Sequence, residues 1–285
     1  MATRPTALGL GCLVVAVVLV AAAAVAGFTA LRDRGATPPV PGQQRCVATA
    51  GDRSVALDLE QARLTAIIVG LSVRRGLAPR AASIAMATVY QETGIRNLDG
   101  GDRDSVGLFQ QRPSQGWGSP EELQDPYYAT GKFYDALVKV DGWQSGDIND
   151  VAQAVQRSGY PEAYRDHEAD ARVLASALTG QSAAAFSCLD RQEADGDAAA
   201  LADSLTQTFG EVRPAREGRV VTVQARSDAL AWAYAGHAVA NAASSGVVEV
   251  QTLGRVWRAS GQDLPRWAEA ATPAPRPRTV TITVR

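Results

Sequence analysis

Histidine and cysteine are scarce in this chain, with only 2 His and 3 Cys in 285 residues. His167 and His237 stand far apart, and Cys12, Cys46 and Cys188 do not cluster with them or with each other. A zinc site draws its Cys and His from short, repeated spacings, so no metal and no cofactor are expected. An excess of one charge is also lacking. The 28 basic and 30 acidic residues nearly cancel, which leaves no basic footprint for nucleic acid. The acidic segment GGDRDS lacks the full spacing of a calcium loop. Between Cys46 and Cys188 no run alternates clearly enough to read as a strand. What is present is apolar content of 46%, enough for a core, in a chain long enough for two modest domains plus tails.

Residues 8–30 are almost wholly apolar and uncharged, flanked by Arg4 before and by Arg32 and Arg34 after. That matches the ~20 residues a helix needs to span a bilayer. Ala24-Val25-Ala26 also has the small-residue pattern of a signal-peptidase site. Two readings stand, a single-pass membrane anchor and a cleaved secretory signal, and the length of the run favours the anchor. Cys12 follows Gly9-Leu10-Gly11 and precedes the apolar core, which is not a lipoprotein pattern. The expected location is the cell membrane, with the rest of the chain outside the cytoplasm, or secretion. Residues 32–45, rich in Pro and Gly, read as an extended linker. In an exported chain Cys46 and Cys188 are expected to form one disulfide; two buried free thiols are the alternative if the domain faces the cytoplasm.

Between the two Cys the chain reads as helical. Leu64, Ile67, Ile68 and Leu71 recur near a 3.6 period within 58–75, and Gly76 ends that helix. Pro79 opens a second, running to about Glu92. Asp125-Pro126 opens a third, Asp147 a short fourth, and Pro161 a last one. Residues 189–198 are acidic and Ala-rich and read as a linker. Residues 199–285 combine helical segments (199–209, 227–243) with strand-like ones (219–225, 247–253, 278–285), a small α+β domain.

The stretch 91–118, QETGIRNLDGGDRDSVGLFQQRPSQGWG, is too irregular to be core and too apolar at its flanks to be a linker. Glu92 ends an apolar helix beside Tyr90. A carboxyl so placed is partly desolvated, as a general acid for glycosidic cleavage requires. A solvated Glu at a helix end is the competing reading.

From Glu92 to Pro113, ETGIRNLDGGDRDSVGLFQQRP resembles the signature of the lytic transglycosylase and goose-type lysozyme superfamily: Glu-Ser, a polar Gly/Ser loop, then Gly-Leu-Met-Gln and Pro. Glu92 falls on the catalytic Glu, Thr93 on the Ser, Ser105 on the small residue before the Gly, and Gly107-Leu108-Phe109-Gln110 on Gly-Leu-Met-Gln. The resemblance implies a lysozyme-like fold and cleavage of peptidoglycan glycan strands. It gives Gln110 a role on substrate or bracing Glu92, with Gln111 as its neighbour, and makes Phe109 a packing residue. Gly107 permits close backbone approach. The later Ala-Tyr-Asn-x-Gly string of transglycosylases is not matched. Gln156 stands nearest its Asn, and Tyr160 or Tyr164 can replace its Tyr in space; Tyr160 is taken as the site residue. Asp102 and Asp104 are the candidates to activate water for hydrolysis; as plain turn residues they would leave the substrate's own N-acetyl group as nucleophile. Trp117 between two Gly can stack on a sugar or anchor the loop. His167 is read as exposed. The segment 241–257, with Asn241-Ala242 and Gly254-Arg255-Val256-Trp257, resembles a small C-terminal domain of exported actinobacterial cell-wall proteins, and no catalytic role is expected of it.

The expected architecture is an anchor or signal (1–31), a linker (32–45), a mainly α lysozyme-like domain (46–188), a linker (189–198) and a small α+β domain (199–285). The expected function is peptidoglycan glycosidase, lytic transglycosylase or muramidase; a non-catalytic wall-binding protein is the alternative. The expected partners are the glycan strands and, through the N-terminal helix, the membrane.

Overall fold

The computed structural model describes residues 43–191, 195–272 and 276–285. The expected membrane span at 8–30, its cleavage site, Cys12 and the linker up to residue 42 lie outside the described residues. Among the described residues no helix is long and apolar enough to cross a membrane.

Two strands open the fold, β1 (Arg45–Ala50) and β2 (Arg53–Leu57), and pair antiparallel. The turn between them is Gly51-Asp52, with Gly51 at φ 61°. A two-residue hairpin needs a positive φ at its first position when of type II′, and glycine supplies it without a Cβ clash. Asp58 then caps α1 (Leu59–Arg74): its side chain accepts from the Gln61 N–H, and Gln61 returns a bond to the Asp58 backbone. This reciprocal box satisfies two donors that the helix end otherwise leaves open. Helix α2 (Pro79–Thr93) starts on Pro79 and ends at Gly94 in the left-handed region.

Short α3 (Pro120–Gln124), α4 (Pro126–Leu137) and α5 (Ile148–Gln156) follow, capped by Ser119, Asp125 and Asp147. A 3₁₀ turn at Ala163–His167 leads into α6 (Glu168–Leu178), which packs along α2. β3 (Phe186–Leu189) then pairs with β1, giving a sheet of order β2-β1-β3. Its register sets Cys46 opposite Cys188, and the two are joined by a disulfide. The bridge spans a sequence separation of 142 residues, for which chain entropy alone gives about 5 kcal/mol.

The C-terminal segment adds α7 (Ala198–Phe209), β4 (Ala215–Glu217), β5 (Val220–Gln224), α8 (Asp228–Ala240), a single turn α9 (Ala242–Ser245), β6 (Val247–Thr252), β7 (Arg255–Arg258), β8 (Ala268–Glu269) and β9 (Thr279–Val284). The strands form one antiparallel sheet of order β4-β5-β9-β6-β7-β8. Helix α8 lies between this sheet and α1. It is buried on every face from Ala231 to Ala240, mostly by apolar residues, as a helix covered on both sides must be. Most buried apolar residues from Cys46 to Val284 belong to one core cluster. At its centre Gly70 of α1 meets α7 so closely that a Cβ would come within 2.2 Å of the Thr208 methyl.

The expected mainly α architecture is therefore corrected: the protein is mixed α/β with two antiparallel sheets. The strands bracketing the helices were hidden for identifiable reasons. β1 fills its buried positions with Cys46 and Ala48, small residues of low contrast, and β3 is buried at all four positions and shows no alternation. The edge strands β4 and β8 are wholly exposed and only three and two residues long.

Candidate active site

Glu92 is the penultimate residue of α2 and half-buried. Its Oε1 accepts a hydrogen bond from the Tyr164 hydroxyl at 2.7 Å and another from Gln156 Nε2 at 3.2 Å. The same Gln156 amide donates to the Phe109 carbonyl at 2.8 Å. A carbonyl can only accept, so this bond fixes which end of the amide faces Glu92. Both partners meet on Oε1, and among the described residues none is seen on Oε2.

Four chain segments converge to build this arrangement. Helix α2 delivers Glu92 and ends in a left-handed Gly94, whose N–H bonds Tyr90 O while the Ile95 N–H reaches back to Val89 O. The Gly94 bond is the single 5→1 bond of a left-handed helix cap, and the buried Ile95 reaches back beyond it. The Thr93 hydroxyl donates to the Leu108 carbonyl at 3.0 Å, tying the helix end to the Gly-Leu-Phe-Gln segment. Phe109 is fully buried and stacks on Phe133 of α4, with centroids 4.6 Å apart. Helix α5 ends on Gln156, with Arg157 at φ 52° turning the chain away. The 3₁₀ turn delivers Tyr164. Burial first, and then the neighbouring Glu92, drives the phenol pKa far up, so Tyr164 stays a neutral donor.

Backbone strain gathers here. Of the seven non-glycine residues with positive φ among the described residues, Ile95, Arg103 and Gln110 lie in the loop and Arg157 caps the helix that carries Gln156. Each such residue costs on the order of 1–3 kcal/mol and persists only where surrounding contacts over-determine it. Gly107, at φ 76°, passes so close to α3 that a Cβ would sit 2.3 Å from the Leu123 carbonyl oxygen. The close approach expected of this glycine is thus to protein backbone.

The remaining loop residues divide into braces and exposed groups. Ser105 is buried and donates to the Asp102 carbonyl at 2.7 Å; its hydroxyl also lies 3.0 Å from Gln110 Oε1. Gln110 Nε2 donates to the Gly107 carbonyl, so its side chain folds back on its own turn. Gln111 is buried, bridges Val106 across the loop, and donates to Ala129 of α4. Asp104 accepts from the Ser114 N–H at 2.8 Å and from Arg112 Nε at 2.7 Å. The Ser114 backbone bond, then Arg112, holds this carboxyl well below the usual range, which makes it a poor proton acceptor. Asp102 is 92% exposed at its side chain, with Arg103 at 3.7 Å.

Of the two tyrosines considered, Tyr160 is 76% exposed and Tyr164 is the one on Glu92. The sequence carries the signal that separates them. Tyr164 is in helical phase with the buried Ala171, Leu174 and Leu178, whereas Tyr160 sits in the Ser-Gly-Tyr-Pro turn. His167, read as exposed, is half-buried: it stacks on Tyr90 with centroids 5.4 Å apart, and its Nε2 lies 3.1 Å from Gln91 Oε1.

Beside this cluster a groove of about 770 Å³ runs between α4, the end of α5 and the loop at 115–117. Trp117 and Gln156 both line it, so Gln156 joins the groove to the Glu92 carboxyl. A second cavity of about 1020 Å³, between α1, α7 and the larger sheet, includes none of the expected site residues. Comparison with protein-family models and with curated proteins finds no match to this chain.

Proposed function

We propose that this protein is a peptidoglycan glycosidase of lytic transglycosylase or muramidase type, with Glu92 as general acid and then base. The observation that carries the reading is the pinning of Glu92 Oε1 by Tyr164 and Gln156, the latter bonded at once to Phe109 of the Gly-Leu-Phe-Gln segment. Donors crowd one oxygen, so a proton on the neutral carboxyl belongs on Oε2, the oxygen left for a ligand. A carboxyl fixed in that orientation can protonate a glycosidic oxygen as the bond breaks. The resemblance of residues 92–113 to the transglycosylase and goose-type lysozyme signature supports the same reading, and supplies the substrate class.

The engagement of Asp104 by Arg112 and Ser114 bears on the product. With Asp104 so engaged and Asp102 standing 92% exposed on the loop surface, this reading assigns the attack on the anomeric carbon to the substrate's own N-acetyl oxygen, and the sugar closes on itself as an anhydro end. Glu92 then takes the proton from the attacking sugar hydroxyl, and no water is consumed. The disulfide fits an oxidising compartment, and with the apolar run at 8–30 it supports a tethered or secreted enzyme outside the cytoplasm. A second reading, wall binding without turnover, draws on the same occupied Asp104. Clearing of a peptidoglycan suspension by the full-length protein separates the two. The enzyme reading expects clearing that is lost in Glu92→Gln; an equally turbid suspension with wild type contradicts it.

A further inference from the structure

The groove next to Glu92 is unevenly charged. Its lining includes three cations, Lys132, Lys139 and Arg157, and one acid, Asp135. That acid is already engaged, since its Oδ1 lies 2.8 Å from Arg75 Nη1. Lys132 and Lys139 stand on one face of the chain leaving α4, two helical turns apart, and Arg157 faces them from the end of α5. Lys132 is steadied over the Tyr128 ring at 5.2 Å, which leaves its charge available. The half-buried Trp117 and the Ala136 and Val155 side chains give the groove an apolar wall. An apolar wall under uncompensated positive charge suits a ligand with short aliphatic side chains and several carboxylates.

Taking the proposed glycosidase reading as its premise, we infer that this groove binds the acidic stem peptides carried by the glycan, so that the protein selects peptide-bearing strands over denuded ones. Gln156, shared between the groove and Glu92, places the peptide within one side chain of the carboxyl that acts on the strand. Charge in a partly exposed groove acts through a few Å of solvent, so the preference is erased by salt.

The test uses the full-length protein as Glu92→Gln, to stop turnover, and two probes: purified glycan strands with stem peptides intact, and the same strands after amidase removal of the peptides. Titration calorimetry at low salt should show tighter binding of the peptide-bearing strands. Replacing Lys139→Gln and Arg157→Asn together should weaken that binding about fivefold to tenfold, as expected for two exposed charge pairs. Asn tolerates the left-handed backbone at 157, so this variant keeps the fold. Equal affinity for both probes, binding of neither, or a preference unchanged in the double variant overturns the groove assignment. Wild-type protein that binds peptide-bearing strands selectively yet never cleaves them overturns the glycosidase reading and leaves the groove assignment standing.

Discussion

His237 offers a quantitative test of the shared core, because one buried titratable group sits where its halves meet. It lies on α8, 1% exposed, its Nε2 2.8 Å from the Ser204 hydroxyl of α7 and its ring edge-on to Phe209 at 5.4 Å. Burial pulls its pKa down from 6.5 to about 4, against a smaller upward pull from the Ala66 backbone of α1. The unfolded chain takes up this proton as pH falls through about 6.5, while the folded chain resists until about 4. Stability is therefore full above the unfolded pKa, declines between the two values and then levels off. The span is worth on the order of 3 kcal/mol, a large share of the ~5–15 kcal/mol that holds a typical domain together. Urea unfolding at a series of pH values between about 4 and about 7, followed by both tryptophan fluorescence and far-UV circular dichroism, reads this slope. His237→Gln can still bond Ser204 and should flatten most of it. His167→Gln should take less, since burial also lowers that pKa but Asp166 and Asp170 oppose the shift. A slope in His237→Gln equal to that of wild type would show that this imidazole does not set the pH dependence. Two separate transitions would contradict the shared core, because α1, α7 and α8 would then not unfold as one.

Three further perturbations have defined outcomes. Gly107→Ala forces a Cβ to within 2.3 Å of a backbone oxygen at φ 76°, whereas Gly51→Ala, also at positive φ, meets nothing within 4 Å. Thermal melts should show the Gly107 change costing roughly 1–3 kcal/mol more than the Gly51 change, and equal losses would contradict the close approach. Cys46→Ala with Cys188→Ala should lower the unfolding free energy from urea titration by an amount approaching about 5 kcal/mol, and an unaltered free energy would remove the disulfide from the account of stability. Tyr164→Phe keeps the buried ring and loses the 2.7 Å bond to Glu92. A bond to an ionisable partner of this kind contributes about 1.5–3 kcal/mol, so kcat should fall roughly tenfold to a hundredfold with KM little changed.

Local signals made much of the helical framework legible. Pro79, Asp125-Pro126 and Asp147 each mark a helix start that the structure places within a residue or two. Glu92, Gln156 and the Phe109 backbone, far apart in sequence, meet in one hydrogen-bonded cluster. What stayed illegible depended on pairing. β1 and β3 are recognisable only beside each other, and the burial of both faces of β3 removes the period that would have disclosed it. Tyr160 is exposed, and Tyr164, in helical phase with the buried face of α6, is the tyrosine on Glu92. The cations Lys132, Lys139 and Arg157 look like ordinary surface charge until α4 and α5 are set side by side.

If Glu92 cleaves glycosidic bonds, the new ends on the glycan carry the record of it. Full-length wild type and Glu92→Gln should be incubated with isolated peptidoglycan in ¹⁸O-water, and the released muropeptides weighed by mass spectrometry. Wild type should release anhydro-ended muropeptides without ¹⁸O, and Glu92→Gln should release none. No release from wild type, or the same release from both, would contradict cleavage by Glu92.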